Sequence, residues 1–180
     1  MEGERVPAAP GGLGEAAAEL MPPVQQRGAT GASANPRENP TRPWVGIGVL
    51  AFRGEDVLLV RRGRPPRLGE WSLPGGAQRL GERAEDAARR ELREEAGIEV
   101  GALELLAVVD AITSGEDGAG PRFHYTIIDY LAQWQSGEPR AGGDVTEVAW
   151  CASADPSAYG LWPEAMRVIA LARKRLGLAG

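Results

Sequence analysis

The chain has 180 residues, of which 43% are hydrophobic and 25% are charged, and its formal net charge at pH 7 is −5. This composition is ordinary for one soluble globular domain with its own core. The acidic balance argues against general nucleic-acid binding, and no stretch approaches the roughly 20 apolar residues of a membrane span. A single cysteine excludes an intramolecular disulfide, so a cytoplasmic protein is expected.

The first 41 residues differ in composition from the rest of the chain. They are rich in Gly, Ala, Pro and Glu, and they contain no aromatic residue. Such a segment buries too little apolar surface to offset the entropy of ordering, so residues 1–41 are predicted to form a disordered N-terminal extension. A single folded domain is expected over residues 42–180.

Apolar runs separated by turn residues predict a sheet. A turn over residues 53–56 joins the first two predicted strands, and a Pro-, Gly- and Arg-rich loop over residues 63–70 leads to the third. After a central helix, three more strands and a closing amphipathic helix are predicted. The predicted strands cover residues 44–52, 57–62, 71–73, 103–112, 122–134 and 145–151, and the closing helix covers residues 163–176.

The most informative segment is GAQRLGERAEDAARRELREEAGI, residues 76–98. Residues 83–96 are mostly good helix formers, and a glycine at position 97 is a natural helix end. Glu91 lies three positions before Glu94 and four before Glu95, so the three carboxylates crowd one side of this helix. Like charges at that spacing repel by about 0.2–0.5 kcal/mol per pair, and a divalent cation would reverse the sign of the interaction.

The turn before this helix contains two consecutive glycines, Gly75 and Gly76. Glycine lets backbone groups approach a ligand closely. The candidate ligands are all oxygen atoms, and the set includes no thiolate and no imidazole. Such a ligand set favours the hard cations Mg²⁺ or Mn²⁺ over Zn²⁺. Because Mg²⁺ is usually bound by a few carboxylates together with substrate phosphates, the pattern is typical of a site that cleaves a pyrophosphate.

The segment follows the pattern G-x5-E-x7-R-E-U-x-E-E-x-G-U, where U is aliphatic, which is the pattern of the Nudix box. With this box the chain resembles a Nudix hydrolase. The residues that fill the pattern are Gly76, Glu82, Arg90, Glu91, Leu92, Glu94, Glu95, Gly97 and Ile98. The resemblance implies an α/β fold, in which a mixed β-sheet lies between helices in an α/β/α sandwich. It extends over roughly residues 44–176 and is most specific over residues 71–98.

The resemblance also implies a role for individual residues of the segment. Glu91, Glu94 and Glu95 fall where relatives bind catalytic divalent metals, and the carbonyl of Gly75 is implied as a further ligand. Two more residues support this cluster: the resemblance assigns the metal–water network to Glu82 and the orientation of a metal-binding glutamate to Arg90.

Further candidates lie outside the segment. An acidic residue on a later loop is implied as metal ligand or general base, and Asp144 occupies that loop, with Glu147 as the runner-up. Arg62, at the end of the second predicted strand, and Gly76 are candidates for contact with substrate phosphate. Since side chains alternate along a strand, only one of Arg61 and Arg62 can face the site.

The implied activity is Mg²⁺- or Mn²⁺-dependent hydrolysis of a diphosphate linkage in a nucleoside diphosphate joined to another group. Which carboxylate serves as the base stays open between Glu91, Glu95 and Asp144. ADP-ribose is the favoured substrate, because residues 124–130 and 137–142 resemble ADP-ribose pyrophosphatase-like members. The subgroup's proline after the box is absent, however, since Thr113 and Ser114 occupy that region.

Two alternative functions stay open. The first is MutT-like hydrolysis of oxidised nucleoside triphosphates. The second, of another class, is a catalytically inactive Nudix domain that senses a ligand. In each case the expected partner is a small-molecule nucleotide rather than a nucleic acid or a membrane, and homodimers are common among relatives.

Overall fold

The computed structural model describes residues 35–65, 67–115 and 120–178. Within these ranges the chain forms eight strands and two α-helices. Their bounds are β1 (Trp44–Arg53), β2 (Asp56–Arg62), β3 (Trp71–Ser72), β4 (Gly75–Ala77), α1 (Ala84–Ala96), β5 (Glu99–Val100), β6 (Glu104–Ser114), β7 (Pro121–Ser136), β8 (Val145–Ala152) and α2 (Pro163–Arg175). The predicted extension lies largely outside the described residues, and its boundary stays a prediction.

Strand β1 lies at the centre of a mixed sheet. It runs parallel to β7, with Trp44 opposite Tyr125 and Gly48 opposite Asp129. Its other edge is shared, because β2 pairs with its C-terminal end and β4 pairs with its N-terminal half. Strand β8 extends the sheet beyond β2, and β6 extends it beyond β7, both in antiparallel pairing.

The core has two parts, one on each face of this sheet. On one face, the small and aliphatic residues of α1, among them Ala88 and Leu92, pack with Ile47 and Val49 of β1. On the other face, residues of α2 such as Ile169 pack with the alternate residues of β1. Burying one large aliphatic side chain such as Leu92 stabilises the fold by about 1.5–3 kcal/mol. The α/β/α sandwich is therefore confirmed.

Two short strands and one helical turn are absent from the sequence prediction. Strand β4 was expected to be only a tight turn, because Gly-Gly-Ala has low strand propensity; pairing with β1 imposes its conformation. Strand β5 has two residues, too few for a periodic pattern, and forms by pairing with β7. A single 3₁₀ turn, Pro156–Tyr159, lies before α2.

Residues 35–41 contact the start of the sheet. The guanidinium of Arg37 lies 5.8 Å from the ring centroid of Trp44. Glu38 forms an ion pair with Arg122 at 2.7 Å, and the backbone N–H of Asn39 donates to the carbonyl oxygen of Arg122 at 2.8 Å. In the described part of the chain, both helices have 13 residues and are too short and too polar to cross a membrane.

Candidate active site

Helix α1 carries most of the site, and the sequence explains both of its ends. It begins with two acidic residues in its first turn, Glu85 and Asp86, which the helix dipole favours there. It ends at Gly97, whose φ of +67° is left-handed and whose N–H donates to the carbonyl oxygen of Arg93. The predicted helix is confirmed.

Glu95 is the most deeply buried acid of this helix. Its residue is 5% exposed, and the backbone N–H of Gly75 donates to its Oε2 at 2.8 Å. Burial, with smaller contributions from the charges of Glu91 and Asp144, raises the pKa of Glu95 to about 8, although the Gly75 N–H and Arg62 act in the opposite direction. A buried acid close to two other acids is one that a bound cation would stabilise in its charged form.

The two glycines of the turn are required by close contacts. A Cβ atom at position 76 would lie 2.3 Å from Oε1 of Glu91, so any side chain there would displace that carboxylate. Gly75 has a φ of +151°, and a Cβ on it would lie 2.0 Å from the carbonyl oxygen of Ile47. The glycines therefore let strand β4 lie directly against both β1 and the carboxylates of α1.

Arg90 donates hydrogen bonds to three acidic residues, Glu82, Glu91 and Glu94. Its Nε and Nη2 donate to the two carboxylate oxygens of Glu82 at 2.7 and 3.0 Å, and its Nη1 donates to Oε1 of Glu91 at 2.6 Å. The bidentate contact fixes the orientation of the Arg90 guanidinium relative to the Glu82 carboxylate. This hydrogen bond, together with one from the backbone N–H of Arg79, lowers the pKa of Glu82 to about 2. The pKa of Arg90 is raised by the same partner.

Glu94 occupies a more exposed position than the other two box glutamates. Its side chain is 44% exposed, compared with 12% for Glu91. Its carboxylate lies 3.2 Å from Nη2 of Arg79 and 3.2 Å from Nη1 of Arg90. The structure thus places Glu94 at the rim of the cluster, between two guanidinium groups.

Asp144 reaches the cluster because its loop packs on the C-terminal end of α1. The backbone N–H of Gly142 donates to the carbonyl oxygen of Glu95 at 3.0 Å. The carbonyl oxygen of Asp144 accepts from the N–H of Gly63 at 2.7 Å, which joins this loop to the end of β2. The charge of Asp144 therefore acts on Glu95, although the two residues are 49 positions apart in the chain.

The two arginines at the end of β2 separate as strand alternation requires. Arg62 lies on the α1 side, where its charge acts on Glu95. Arg61 points away and forms an ion pair with Glu147 at 2.6 Å, and its Nε donates to the carbonyl oxygen of Gly69. Glu147, the runner-up for the loop acid, is thus bound to Arg61.

The donor set fits a hard divalent cation. Glu91, Glu95 and Asp144 are the candidate sources of carboxylate oxygens, and the candidate carbonyl belongs to Gly75, whose N–H binds Glu95. Within the described ranges, no three His, Cys, Asp or Glu side chains converge into a ready metal shell. The arginine network explains this arrangement, since Arg90 holds Glu91 and Glu94 by hydrogen bonds that a cation would compete with.

Sequence reasoning missed Arg79. Its backbone N–H donates to Glu82, and its guanidinium contacts Glu94. It lies in the variable stretch of the box, between Gly76 and Glu82, where the pattern specifies no residue type. A basic side chain three positions before a fixed glutamate is the signal that could have indicated it.

A carboxylate cluster on a helix beside a glycine strand, within an α/β/α sandwich, defines a class of metal-dependent enzyme. The model of the NUDIX domain family matches residues 42–172. The chain therefore belongs to this family, and it is a Nudix hydrolase.

Relatives with curated names carry two different activities. The chain is 41% identical over 104 residues to the "putative 8-oxo-dGTP diphosphatase 2" of Mycobacterium tuberculosis (strain CDC 1551 / Oshkosh), covering 57% of this chain and 69% of that protein. It is 31% identical over 105 residues to an ADP-ribose pyrophosphatase of Methanocaldococcus jannaschii, covering 58% and 59%.

Solved structures share the fold. A MutT NUDIX hydrolase from Burkholderia pseudomallei superposes with a TM-score of 0.62 at 33% identity, covering 72% of this chain and 98% of that one. The NUDIX domain of Shewanella oneidensis NrtR, complexed with ADP ribose, superposes with a TM-score of 0.64 at 25% identity, covering 75% and 89%.

Proposed function

We propose that the chain hydrolyses a diphosphate linkage in a nucleoside diphosphate joined to a second group, and that it requires Mg²⁺ or Mn²⁺. The observation that carries the proposal is the contact of the Glu91 and Glu95 carboxylates with the glycine strand β4, with the charge of Asp144 acting on Glu95. Acids whose charges act on one another raise each other's energy unless a cation or a proton offsets them. A diphosphate brings the additional oxygen ligands that Mg²⁺ prefers.

The roles proposed for the residues follow their positions. Glu91, Glu95 and the Gly75 carbonyl would hold the cation, which when bound supplies Lewis-acid stabilisation of the phosphate oxygens. Arg62, on the same side of the sheet, would bind a phosphate oxygen. Arg90 and Glu82 position Glu91 through their paired hydrogen bonds.

The general base is proposed to be Asp144. Its loop is connected to both the end of β2 and the end of α1, which holds it at the edge of the cluster. Glu91, by contrast, already accepts a hydrogen bond from Arg90, and Glu95 from Gly75. A carboxylate outside these bonds is better placed to accept a proton from water.

Two substrates are candidates within this class. ADP-ribose is supported by the Methanocaldococcus relative and by the ligand of the Shewanella domain. An oxidised guanine nucleotide is supported by the higher identity, 41%, of the Mycobacterium relative. The two differ in the base and in the group beyond the second phosphate, so one enzyme assay separates them.

The test is hydrolysis by the purified chain of ADP-ribose, NADH, a sugar nucleotide and 8-oxo-dGTP, each with Mg²⁺, with Mn²⁺ and with EDTA. Products are resolved by chromatography, and water labelled with ¹⁸O identifies the phosphorus that is attacked. We expect turnover that EDTA abolishes and added Mg²⁺ restores. The proposal is wrong if no diphosphate is cleaved with either metal, or if cleavage persists at full rate in EDTA and in the Glu91→Gln variant.

A further inference from the structure

A buried carboxylate on the opposite face of the sheet has no partner among the described residues. Asp129 of β7 is 4% exposed, and no hydrogen bond or ion pair to its carboxylate is found in the described part of the chain. The nearest charges belong to Arg167 and Glu164 of α2, which act on it electrostatically and form an ion pair with each other. A buried polar group of this kind costs free energy unless a ligand or water satisfies it.

The carboxylate of Asp129 lies directly over the backbone of a glycine. Gly48 of β1 is directly opposite Asp129, and a Cβ there would lie 2.1 Å from Oδ1 of Asp129. Two positions earlier on the same face, Gly46 is opposite Ile127, and two earlier again, Trp44 is opposite Tyr125. The aromatic residues Trp44 and Tyr125 therefore lie at one end of this row and Asp129 lies at the other. The side chain of Ile127 lines the row between them, 3.3 Å from where a Cβ of residue 46 would lie.

The row lies beside β4, the strand that contacts the proposed diphosphate site. Gly48 pairs with Gly75 of the edge strand β4, and the N–H of Gly75 binds Glu95. Asp129 is thus two strand spacings, roughly 10 Å, from Gly75 across the sheet. Because Asp129 and the carboxylate cluster lie on opposite faces of the sheet, a nucleotide whose phosphates contact Gly75 would reach Asp129 by passing along the strand β4.

We propose that Asp129 recognises the base of the substrate, and that it selects a guanine-type edge. A carboxylate offers two acceptor oxygens and no donor. Guanine presents a ring N–H beside an amino group, so both oxygens can accept; adenine presents an amino group beside a ring nitrogen that repels the carboxylate. The proposal rests on the proposed function for the position of the phosphates, and it favours the guanine nucleotide of the two candidate substrates.

The main test compares kcat/KM for dGTP and dATP in the wild type, Asp129→Asn and Asp110→Asn. Asp110 is the matched control, because it removes one acid from the neighbouring strand β6, where its carboxylate is exposed and accepts a hydrogen bond from Thr126. A bidentate contact to a base discriminates by roughly 10- to 100-fold. We expect a guanine preference of that size in the wild type and in Asp110→Asn, and its loss in Asp129→Asn.

Equilibrium binding separates this inference from the proposed function. Calorimetry with GMP, IMP and AMP needs no turnover; IMP lacks the amino group, so it should bind between the other two. Tighter GMP binding by the wild type than by Asp129→Asn would support the inference even if no nucleotide were cleaved. Hydrolysis in which Asp129→Asn slows dGTP and dATP equally would overturn it, while leaving the proposed hydrolysis intact. Equal binding of GMP and AMP by the wild type would also overturn it.

Discussion

The backbone N–H of Gly75 donates to Oε2 of Glu95 at 2.8 Å, across 20 positions of the sequence. This bond joins strand β4 to helix α1 and fixes the direction of a carboxylate that is otherwise buried close to other acids. It also makes a neutral replacement of the carboxylate structurally tolerable, because an amide oxygen can accept the same bond.

Glu95→Gln is expected to lower kcat by at least about 100-fold while the domain stays folded, because a proposed metal ligand is lost. In EDTA its thermal midpoint should be equal to or above that of the wild type. The sign follows from the raised pKa: between about pH 4.5 and 8 the folded wild type binds more protons than the unfolded chain, so its stability falls as pH rises. The amide of the Glu95→Gln variant does not titrate, so the variant does not lose stability in this way as pH rises.

Glu94→Gln is the matched control for this experiment. Its side chain is 44% exposed and lies at the rim between Arg79 and Arg90, so a smaller loss of kcat is expected. Steady-state kinetics and circular dichroism melts measure both effects. Equal losses of kcat in Glu94→Gln and Glu95→Gln would contradict the prediction that Glu95 contributes more to activity than Glu94.

Gly76→Ala is expected to reduce activity severely with little effect on folding. The new methyl group would lie 2.3 Å from Oε1 of Glu91 and must push that carboxylate out of its position. Gly101→Ala is the control, because a Cβ there meets its nearest atom, the carbonyl oxygen of Gln133, at an ordinary 3.8 Å. Activity should survive in the control. Full activity in Gly76→Ala would show that the position of Glu91 is not critical.

Much of this arrangement could be predicted from the sequence, where the signal is periodic or fixed in spacing. The helix carrying Glu91 and Glu95, the long strands and α2 follow from such patterns. Strand β4 could not be predicted, since Gly75 and Gly76 have low strand propensity and are extended only because β1 pairs with them. The burial of Asp129 also depends on tertiary structure, because strand alternation does not tell which positions α2 and its neighbours cover.

The pairing of Glu82 with Arg90 predicts an acid-dependent loss of stability. The pKa of Glu82 is lowered to about 2 by the Arg90 hydrogen bond, from an ordinary value near 4.5. The stabilising contribution is therefore fully present above about pH 4.5 and is lost as pH falls toward 2. Urea unfolding midpoints measured from pH 6 to pH 2 should fall more steeply in the wild type than in Glu82→Gln. Parallel curves would mean that the pair contributes nothing to folding.

Asp129 predicts a dependence on pH of the opposite sign. Burial raises its pKa to about 6, from 3.8, so the folded state binds the extra proton between these values. Stability contributed by this residue therefore falls as pH rises from about 4 to 6, and above pH 6 the fold carries a buried charge that costs up to about 3 kcal/mol. Asp129→Asn should raise the thermal midpoint at pH 7 by several degrees and have little effect at pH 4. Asp110→Asn controls for the loss of one negative charge. A lower thermal midpoint at pH 7 in Asp129→Asn would show that the ionised carboxylate has a stabilising partner within the fold. In that case guanine nucleotides should not raise the thermal midpoint of the wild type more than adenine nucleotides do.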